Sequence, residues 1–328
     1  MAHTEQRDRQ RVPEWLSEKL LAHRNQHGPH YGGHLSDHLP MALLAMWANG
    51  AGQDALESYA TRYRQRLDPP VQHFRHPPTQ IARAVGDVGA YGSLLAYFDR
   101  EVARVGTRAT LENWLPGLLS GWVRFAFHPV IRLAYGIRFD VASEIVAGLA
   151  YLASAGTDQA LQALADGARY GDEPLSAPPA PPLDEPFERR YNATVASGVL
   201  TGRVVVGPDN RRRLAELSLA VFNDTQDFFA LHMVTGTHAL GVCVDAIGME
   251  ADGLLSAGLL AAYVTVGTPR FDPAAEPRPA TIDDEHDAKL AFACADLARS
   301  LGSKAFERAA QTYRSVQPEK GERTRDRD

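Results

Sequence analysis

The segment MALLAMWANGAGQDALESYATRYRQRL (Met41–Leu67) decides the fold class of this chain. Its apolar residues recur every three or four positions, which is the spacing that places them on one face of an α-helix. Asn49-Gly50 interrupts this spacing with a dipeptide that is typical of turns. The segment therefore predicts a helix, a tight turn and a second helix.

The same spacing continues through most of the chain. It is clear in YGSLLAYFDREVARVG (Tyr91–Gly106) and in TLENWLPGLLSGWVRFAF (Thr110–Phe127). The one short candidate for a strand is GRVVVGP (Gly202–Pro208). The sequence predicts a mainly α protein, with two large helical halves packed around a central site.

A proline-rich stretch divides the chain. GDEPLSAPPAPPLDEPFE (Gly171–Glu188) carries six prolines, which exclude a helix interior because proline lacks the amide donor. The last dozen residues are almost wholly polar, as disordered tails are. The predicted units are a flexible N-terminus (1–12), a helical half (13–170), a linker (171–188), a second helical half (189–316) and a disordered tail (317–328).

The composition is that of an ordinary globular protein, with 328 residues, 45% of them hydrophobic and 23% charged. A net charge of −6 without a basic face gives no case for nucleic-acid binding. We find no export signal and no apolar run of the roughly 18 residues that a membrane span needs. Cys243 and Cys294 lie in apolar segments, so we expect buried free thiols and a cytoplasmic protein.

Two histidines of the N-terminal half lie where helices are expected to begin. His38 follows Ser36-Asp37, residue types that favour helix N-caps. His128 precedes Pro129, and a residue before proline avoids the helical conformation. We therefore expect a helix break at His128, which would place this side chain at a junction between apolar helices. Each histidine is either a core residue bonded to the backbone or a metal ligand.

FALHMVTGTHAL (Phe229–Leu240) places His232 and His238 in a helix that should be buried. Six positions correspond to about 120° around a helix, so an undisturbed helix cannot direct both rings at one point. Gly236, between them, allows a distortion or the close approach of another element. We expect one histidine to be a ligand and the other to be an outer hydrogen-bond donor, without deciding which.

TIDDEHDAKLAFACADLARSL (Thr281–Leu301) contributes His286 and Lys289. Its start resembles a capping box, Thr281–Asp284. His286 and Lys289 are three positions apart, so they are neighbours on one helix face. Apolar residues follow the lysine, which therefore either extends its amine to solvent or has a function.

A competing group of histidines lies nearer the N-terminus. Its members have intervals of three or four positions, which raises the alternative of a surface zinc site: His23, His27, His30, His34 and His38. Gly28-Pro29 and Gly32-Gly33 interrupt the segment, so one continuous helix cannot align these rings.

The motifs of several common enzyme classes are absent. The chain has no G-x-G-x-x-G for a dinucleotide, no G-x-x-x-x-G-K-[ST] and no G-x-S-x-G. It also lacks C-x-x-C, H-E-x-x-H and the E-x-x-H pairs of di-iron bundles. A metalloenzyme built from this sequence would therefore take most of its ligands from imidazole, which suits iron, copper, zinc or nickel.

Four blocks together resemble the questin oxidase-like family. They are HLSDHLPMALLAMWANGA (His34–Ala51), HPVIRLAYGIRFD (His128–Asp140), LHMVTGTHAL (Leu231–Leu240) and DDEHDAKLAFAC (Asp283–Cys294). The resemblance extends from about residue 13 to about residue 316. It implies an oxidoreductase of secondary metabolism, a mono- or dioxygenase that oxygenates or opens a ring of a polycyclic aromatic ketone such as an anthraquinone polyketide. The reaction is Baeyer–Villiger-like and proceeds without flavin.

The resemblance also implies an iron (Fe²⁺) centre that uses dioxygen, in some members with NADPH as the reductant. Carried over to this chain, the metal ligands are His38, His128, His232 or His238, His286 and Lys289, with Lys289 and His238 also acting in catalysis. An ammonium group cannot bind a cation, so Lys289 would act as a neutral amine or as a carbamate formed with carbon dioxide. We favour the carbamate, because it adds an anionic oxygen ligand.

Two other classes of function fit the same residues. One is a non-catalytic helical protein that binds an aromatic ligand and keeps its histidines as hydrogen-bonded core residues. The other is a zinc-dependent hydrolase with a bound hydroxide. Five aromatic residues are candidates either for stacking on such a ligand or for the core: Trp47, Trp114, Trp122, Phe125 and Tyr135.

Overall fold

A computed structural model describes residues 11–33, 35–69, 79–171, 185–278 and 285–314. This part of the chain contains 15 α-helices and four strands of two residues each. The prediction of a mainly α protein is confirmed.

The part before the proline-rich stretch contains nine helices. They are α1 (Glu14–Gln26), α2 (Leu39–Ala48), α3 (Gln53–Arg64), α4 (Ile81–Ala84), α5 (Tyr91–Val105), α6 (Thr107–Leu118), α7 (His128–Arg138), α8 (Ala142–Ala155) and α9 (Gln159–Asp166). The predicted helix, turn and helix of Met41–Leu67 correspond to α2 and α3. Gly50 makes the turn between them with φ of 98°, a conformation that glycine adopts without strain.

The part after the proline-rich stretch contains six helices. They are α10 (Phe187–Ala196), α11 (Asn210–Thr225), α12 (Phe228–Ile247), α13 (Asp252–Thr265), α14 (Glu285–Leu301) and α15 (Lys304–Arg314). Helix α10 includes the last two residues of the predicted linker. The segments 1–10, 172–184 and 315–328 lie outside the described residues, as do His34 and the capping box at 281–284.

The four strands form two small sheets. β1 (His30–Tyr31) pairs antiparallel with β2 (Leu35–Ser36), just before the first candidate ligand. β3 (Arg169–Tyr170) pairs parallel with β4 (Val205–Val206). β4 lies within the candidate segment GRVVVGP, and its partner comes from the other half of the chain.

Helix α12 lies at the centre of the molecule and contacts α7, α11, α13 and α14. Our expectation that no segment is long and apolar enough to cross a membrane was wrong for this helix. It has 20 residues, and 78% of its most apolar window is buried inside the protein, as in a core helix. Buried residues form one connected cluster with members from both halves, and it includes the free thiols Cys243 and Cys294.

Candidate metal centre

Four histidines from distant parts of the chain meet at one point. His38 immediately precedes α2, His128 is the first residue of α7, His232 lies in α12 and His286 is in the first turn of α14. One ring nitrogen of each lies within 4.8 Å of the others, and all four residues are buried. Two ligand positions come from each half, and the cluster can hold a metal ion.

The position of His128 depends on an unusual turn. Phe125, Ala126 and Phe127 all have positive φ, between 50° and 68°, before α7 begins. The helix break predicted from Pro129 is therefore present. The turn directs the Phe125 carbonyl at the ring, and Nδ1 of His128 donates to it at 2.5 Å.

Glu188 holds this turn from the other half of the chain. Its carboxylate accepts the Phe125 amide at 2.8 Å and lies 3.5 Å from the Arg124 guanidinium. Burial raises the pKa of Glu188, against the opposing effects of these two partners. Sequence reasoning missed this residue, because nothing local connects it with a turn 63 positions earlier.

His232 is oriented by its own helix. Its Nδ1 donates to the Phe228 carbonyl at 2.8 Å, one turn earlier in α12. With Nδ1 protonated in both rings, Nε2 of His128 and of His232 carries a lone pair. These two nitrogens are 3.2 Å apart. Ligands held at about 2.0–2.1 Å from one ion have nitrogens roughly 3 Å apart, so this separation fits a shared metal.

His38 places a third ring nitrogen beside these two, and lone pairs that face one another repel. Its Nε2 lies 2.6 Å from Nε2 of His128, and its Nδ1 lies 3.6 Å from the Glu285 carboxylate. If Nε2 carries the proton, the Nδ1 lone pair faces the carboxylate. If Nδ1 carries the proton, three Nε2 lone pairs face one another. When Nδ1 carries the proton, a cation at the centre removes the repulsion between the three lone pairs.

The environment of three of these imidazoles favours the neutral form, which is the form that binds metals. Burial lowers the pKa of His38, His128 and His232 well below the usual value. A protonated Lys289 would add to this effect on each of the three. Lys289 is itself buried, with 1% of its surface exposed, and follows His286 by three positions in α14.

The structure does not bring His238 to the cluster. Its Nε2 instead lies 2.8 Å from Asp296 of α14. Asp296 also accepts hydrogen bonds from Arg138 and Arg299. His238 and Asp296 line a separate surface cavity of about 550 Å³. Of the two alternatives in α12, the structure therefore places only His232 among the convergent rings.

The described members of the competing N-terminal group of histidines do not converge. His23 donates to Asp37 at 2.6 Å, and His30 bonds to Tyr151 at 2.9 Å. Burial lowers the pKa of His30 to about 4. His34 lies outside the described residues. Within the described part of the chain, one group of three or more possible ligands forms, and His38 is its only member from this segment.

Phe228 stands between the histidines and solvent. Its ring centroid is 4.8 Å from those of both His232 and His286, yet the residue is 40% exposed. Among the aromatic candidates, Trp122 and Tyr135 belong to the buried core. Phe125 is partly buried and contacts the ring of His30.

Comparison with known proteins finds one family model that is similar to part of this chain. Residues 35–194, a little under half of the chain, match the family model described as questin oxidase-like. This match contains His38 and His128, whereas His232, His286 and Lys289 lie beyond it. The predicted resemblance from about 13 to about 316 is therefore supported over 35–194.

Three curated relatives have a similar region. Questin oxidase from Aspergillus terreus is 33% identical over 131 residues, which is 36% of this chain and 29% of that protein. A Baeyer-Villiger oxidase from Pestalotiopsis fici is 25% identical over 136 residues, 38% of this chain and 30% of that protein. A Baeyer-Villiger monooxygenase from a Cryptosporiopsis species is 27% identical over 134 residues, 36% of this chain and 29% of that protein. The matched region spans less than a third of each relative.

Proposed function

We propose that this chain, whose residues 35–194 match the questin oxidase-like family, is an iron-dependent oxygenase that acts on a polycyclic aromatic ketone or quinone. One observation carries the proposal. Ring nitrogens from four distant histidines converge in a buried site, with at least two lone pairs facing each other 3.2 Å apart. Hydrogen-bonded core histidines would not leave this conflict, so a core-only role is disfavoured.

The residues of the site have separate roles in this proposal. His38, His128, His232 and His286 would hold the ion, which when bound would supply the activation of dioxygen. The carbonyls of Phe125 and Phe228 fix the Nδ1–H form of two rings, so that Nε2 remains available. The apolar residues of α7, α12 and α14 limit the access of water to the reaction.

The names of the relatives suggest the type of reaction. A Baeyer–Villiger step inserts one oxygen atom between a carbonyl carbon and its neighbour in the ring. With NADPH as the reductant, ketone, dioxygen, NADPH and a proton give an ester, water and NADP⁺. We extend this chemistry to the present chain as a proposal for a small aromatic substrate of secondary metabolism.

Lys289 has a proposed role of its own. Lys289 is 1% exposed, and burial this deep disfavours the charged ammonium form of its side chain. Reaction of the neutral amine with carbon dioxide forms a carbamate and releases a proton, which gives an anionic oxygen ligand. Protein equilibrated with ¹³C-bicarbonate should show a carbamate carbon signal by NMR. The signal should vanish in Lys289→Met and persist in Lys304→Met; its absence from the unaltered protein would contradict this role.

The first test is metal analysis of protein purified without added metal or chelator. We expect about one iron per chain, or one after anaerobic addition of Fe²⁺. The loaded protein should then consume oxygen with a polycyclic quinone and NADPH. Stoichiometric zinc with hydrolytic activity would support a hydrolase instead. No bound metal after reconstitution would overturn the proposal and favour a protein that binds an aromatic ligand.

A further inference from the structure

Glu285 is a buried carboxylate beside the histidine cluster. It is the first residue of α14 and is 4% exposed. The Tyr59 hydroxyl and the Arg66 guanidinium donate to its oxygens at 3.3–3.4 Å. Its Oε1 lies 3.6 Å from Nδ1 of His38, on the side of the ring away from the centre. These contacts hold a negative charge against the back of one candidate ligand.

The three rings with described Nδ1 contacts differ in what they face. His128 and His232 donate Nδ1–H to neutral backbone carbonyls. His38 instead faces a carboxylate. A metal-bound histidine commonly has a carboxylate or a carbonyl behind it, and this outer partner fixes the tautomer and makes the ring a stronger ligand.

We propose that Glu285 is a positioning residue that fixes His38 as the Nδ1–H tautomer and supplies the negative charge that four neutral imidazoles lack. This inference rests on the metal centre proposed above. At 3.6 Å the contact is too long for a full hydrogen bond, so Glu285 acts mainly through the attraction between its negative charge and the Nδ1–H group of the neutral ring. Glu285 is not a ligand, because its oxygens approach the far nitrogen of His38.

Removal of the Glu285 charge should change the affinity for metal and not the number of ions bound. Removing the charge leaves all four ring nitrogens in place, so the site still binds one ion. Metal binding weakens, because without the carboxylate the ring of His38 no longer prefers the tautomer in which Nε2 carries the lone pair. Loss of an outer partner of this kind typically lowers metal affinity about 10–100-fold.

The test compares Glu285→Gln with the unaltered protein by chelator competition for Co²⁺. We expect one Co²⁺ per chain in both, an affinity about 10–100-fold lower in the variant and an altered visible spectrum of the bound cobalt. Glu285→Asp should recover part of the affinity because it retains the charge. Glu101→Gln is the matched control, since Glu101 is also buried and paired with an arginine but lies in α5.

A second measurement uses the unaltered protein and does not depend on how the variant folds. In the zinc-loaded form labelled with ¹⁵N-histidine, His38 should show a protonated Nδ1 and a metal-bound Nε2. Its signal is assigned by its loss in His38→Gln. Equal cobalt affinity in Glu285→Gln, or metal bound through Nδ1 of His38, would overturn the role of Glu285. Failure of the unaltered protein to bind any metal would instead overturn the metal centre itself.

Discussion

His232 and His238 are the same residue type on the same helix, but they have different surroundings. Their separation of six positions corresponds to about 120° around α12 and about 9 Å along it. His232 therefore faces His128 across the centre, whereas His238 faces Asp296 of α14. Residue type alone does not distinguish them; the direction of each side chain does.

The first prediction contrasts alanine at these two positions. His232→Ala should reduce bound metal to near zero, because it removes a nitrogen from the cluster. His238→Ala should keep the full metal content and lose roughly 1–3 kcal/mol of stability, because it removes a buried partner of Asp296. Metal analysis and urea unfolding check the pair. Loss of metal in both variants would contradict the separation of the two sites.

The second prediction concerns Phe228. Its ring covers His232 and His286, while its carbonyl, which accepts from His232, does not depend on the side chain. Phe228→Ala should leave one metal ion per chain and should speed its removal by a chelator several-fold. The rate of metal loss under excess chelator measures this. Leu21→Ala is the control, since Leu21 in α1 is 41% exposed. Equally fast metal loss from Leu21→Ala would contradict a specific role for Phe228.

At the scale of elements, the approach of α12 to the segment before α7 depends on Gly236. A Cβ atom at this position would lie 2.6 Å from the Phe127 ring, closer than real Cβ contacts allow. The sequence predicted that Gly236 permits either a distortion or a close approach, and the structure has the close approach. This contact sets the distance between the two elements that carry His128 and His232.

The third prediction follows from this packing. Gly236→Ala should destabilise the protein by roughly 1–3 kcal/mol, because the added carbon pushes against a buried ring, and it should weaken metal binding. Gly117→Ala is the matched control. No atom lies within 4 Å of a Cβ atom at this helical glycine, so alanine there should be neutral or stabilising. Chemical unfolding and metal titration of both variants measure these effects. Unchanged stability and metal affinity in Gly236→Ala would contradict the proposed packing constraint.

At the scale of the whole molecule, Asp296 joins three of the elements that carry the cluster. From α14 it contacts His238 of α12 and Arg138 of α7. Burial alone would raise the pKa of Asp296, but the hydrogen bonds and charges of His238 and Arg138 outweigh it and hold the pKa well below its usual range. The carboxylate therefore contributes stability through contacts that cross between the two halves.

The fourth prediction is the pH dependence of this contribution. Because the folded pKa of Asp296 lies below the unfolded value, its stabilisation is fully present above about pH 4 and is lost as the pH falls further. Asp296→Asn should cost roughly 1–3 kcal/mol at pH 7, which lies between the values typical of exposed and of fully buried ion pairs, since its arginine partners are partly exposed.

Urea unfolding of both proteins between pH 7 and pH 3 measures the difference. The difference in free energy of unfolding between the unaltered protein and Asp296→Asn should become smaller as the pH drops below about 4. Glu101→Gln serves as the control, because Glu101 is a buried carboxylate that, among the described residues, forms its ion pair with Arg104 of the same helix. A difference that stays constant down to pH 3 would contradict the assignment of this pH-dependent stabilisation to Asp296.

Much of the fold could be predicted from local patterns. The recurrence of apolar residues every three or four positions determined the helices, since one face of each must be buried. Pro129 determined the break before α7, and the glycine and valine pattern of Gly202–Pro208 determined the one recognised strand. These rules work because they depend on neighbours within about four positions along the chain.

Part of the candidate site was also accessible from the sequence. His38, His128, His286 and Lys289 were named from their positions in apolar helices together with the family resemblance, and the structure brings all three histidines together with His232. The sequence left His232 and His238 as alternatives. It missed Glu285, although this residue directly precedes His286 in the DDEHD motif.

Only the tertiary structure decided which groups share the site. His38 and Glu285 are 247 positions apart, and Phe125 and Glu188 are 63 apart, so their contacts depend on how whole helices pack. The choice of His232 follows from the rotation of α12 about its axis, which Gly236 and Phe127 set by close contact. The sequence determined the helices and the chemical types of the side chains. The packing of those helices determined which side chains face one another, because a crossing angle or rotation has no local signal in the chain.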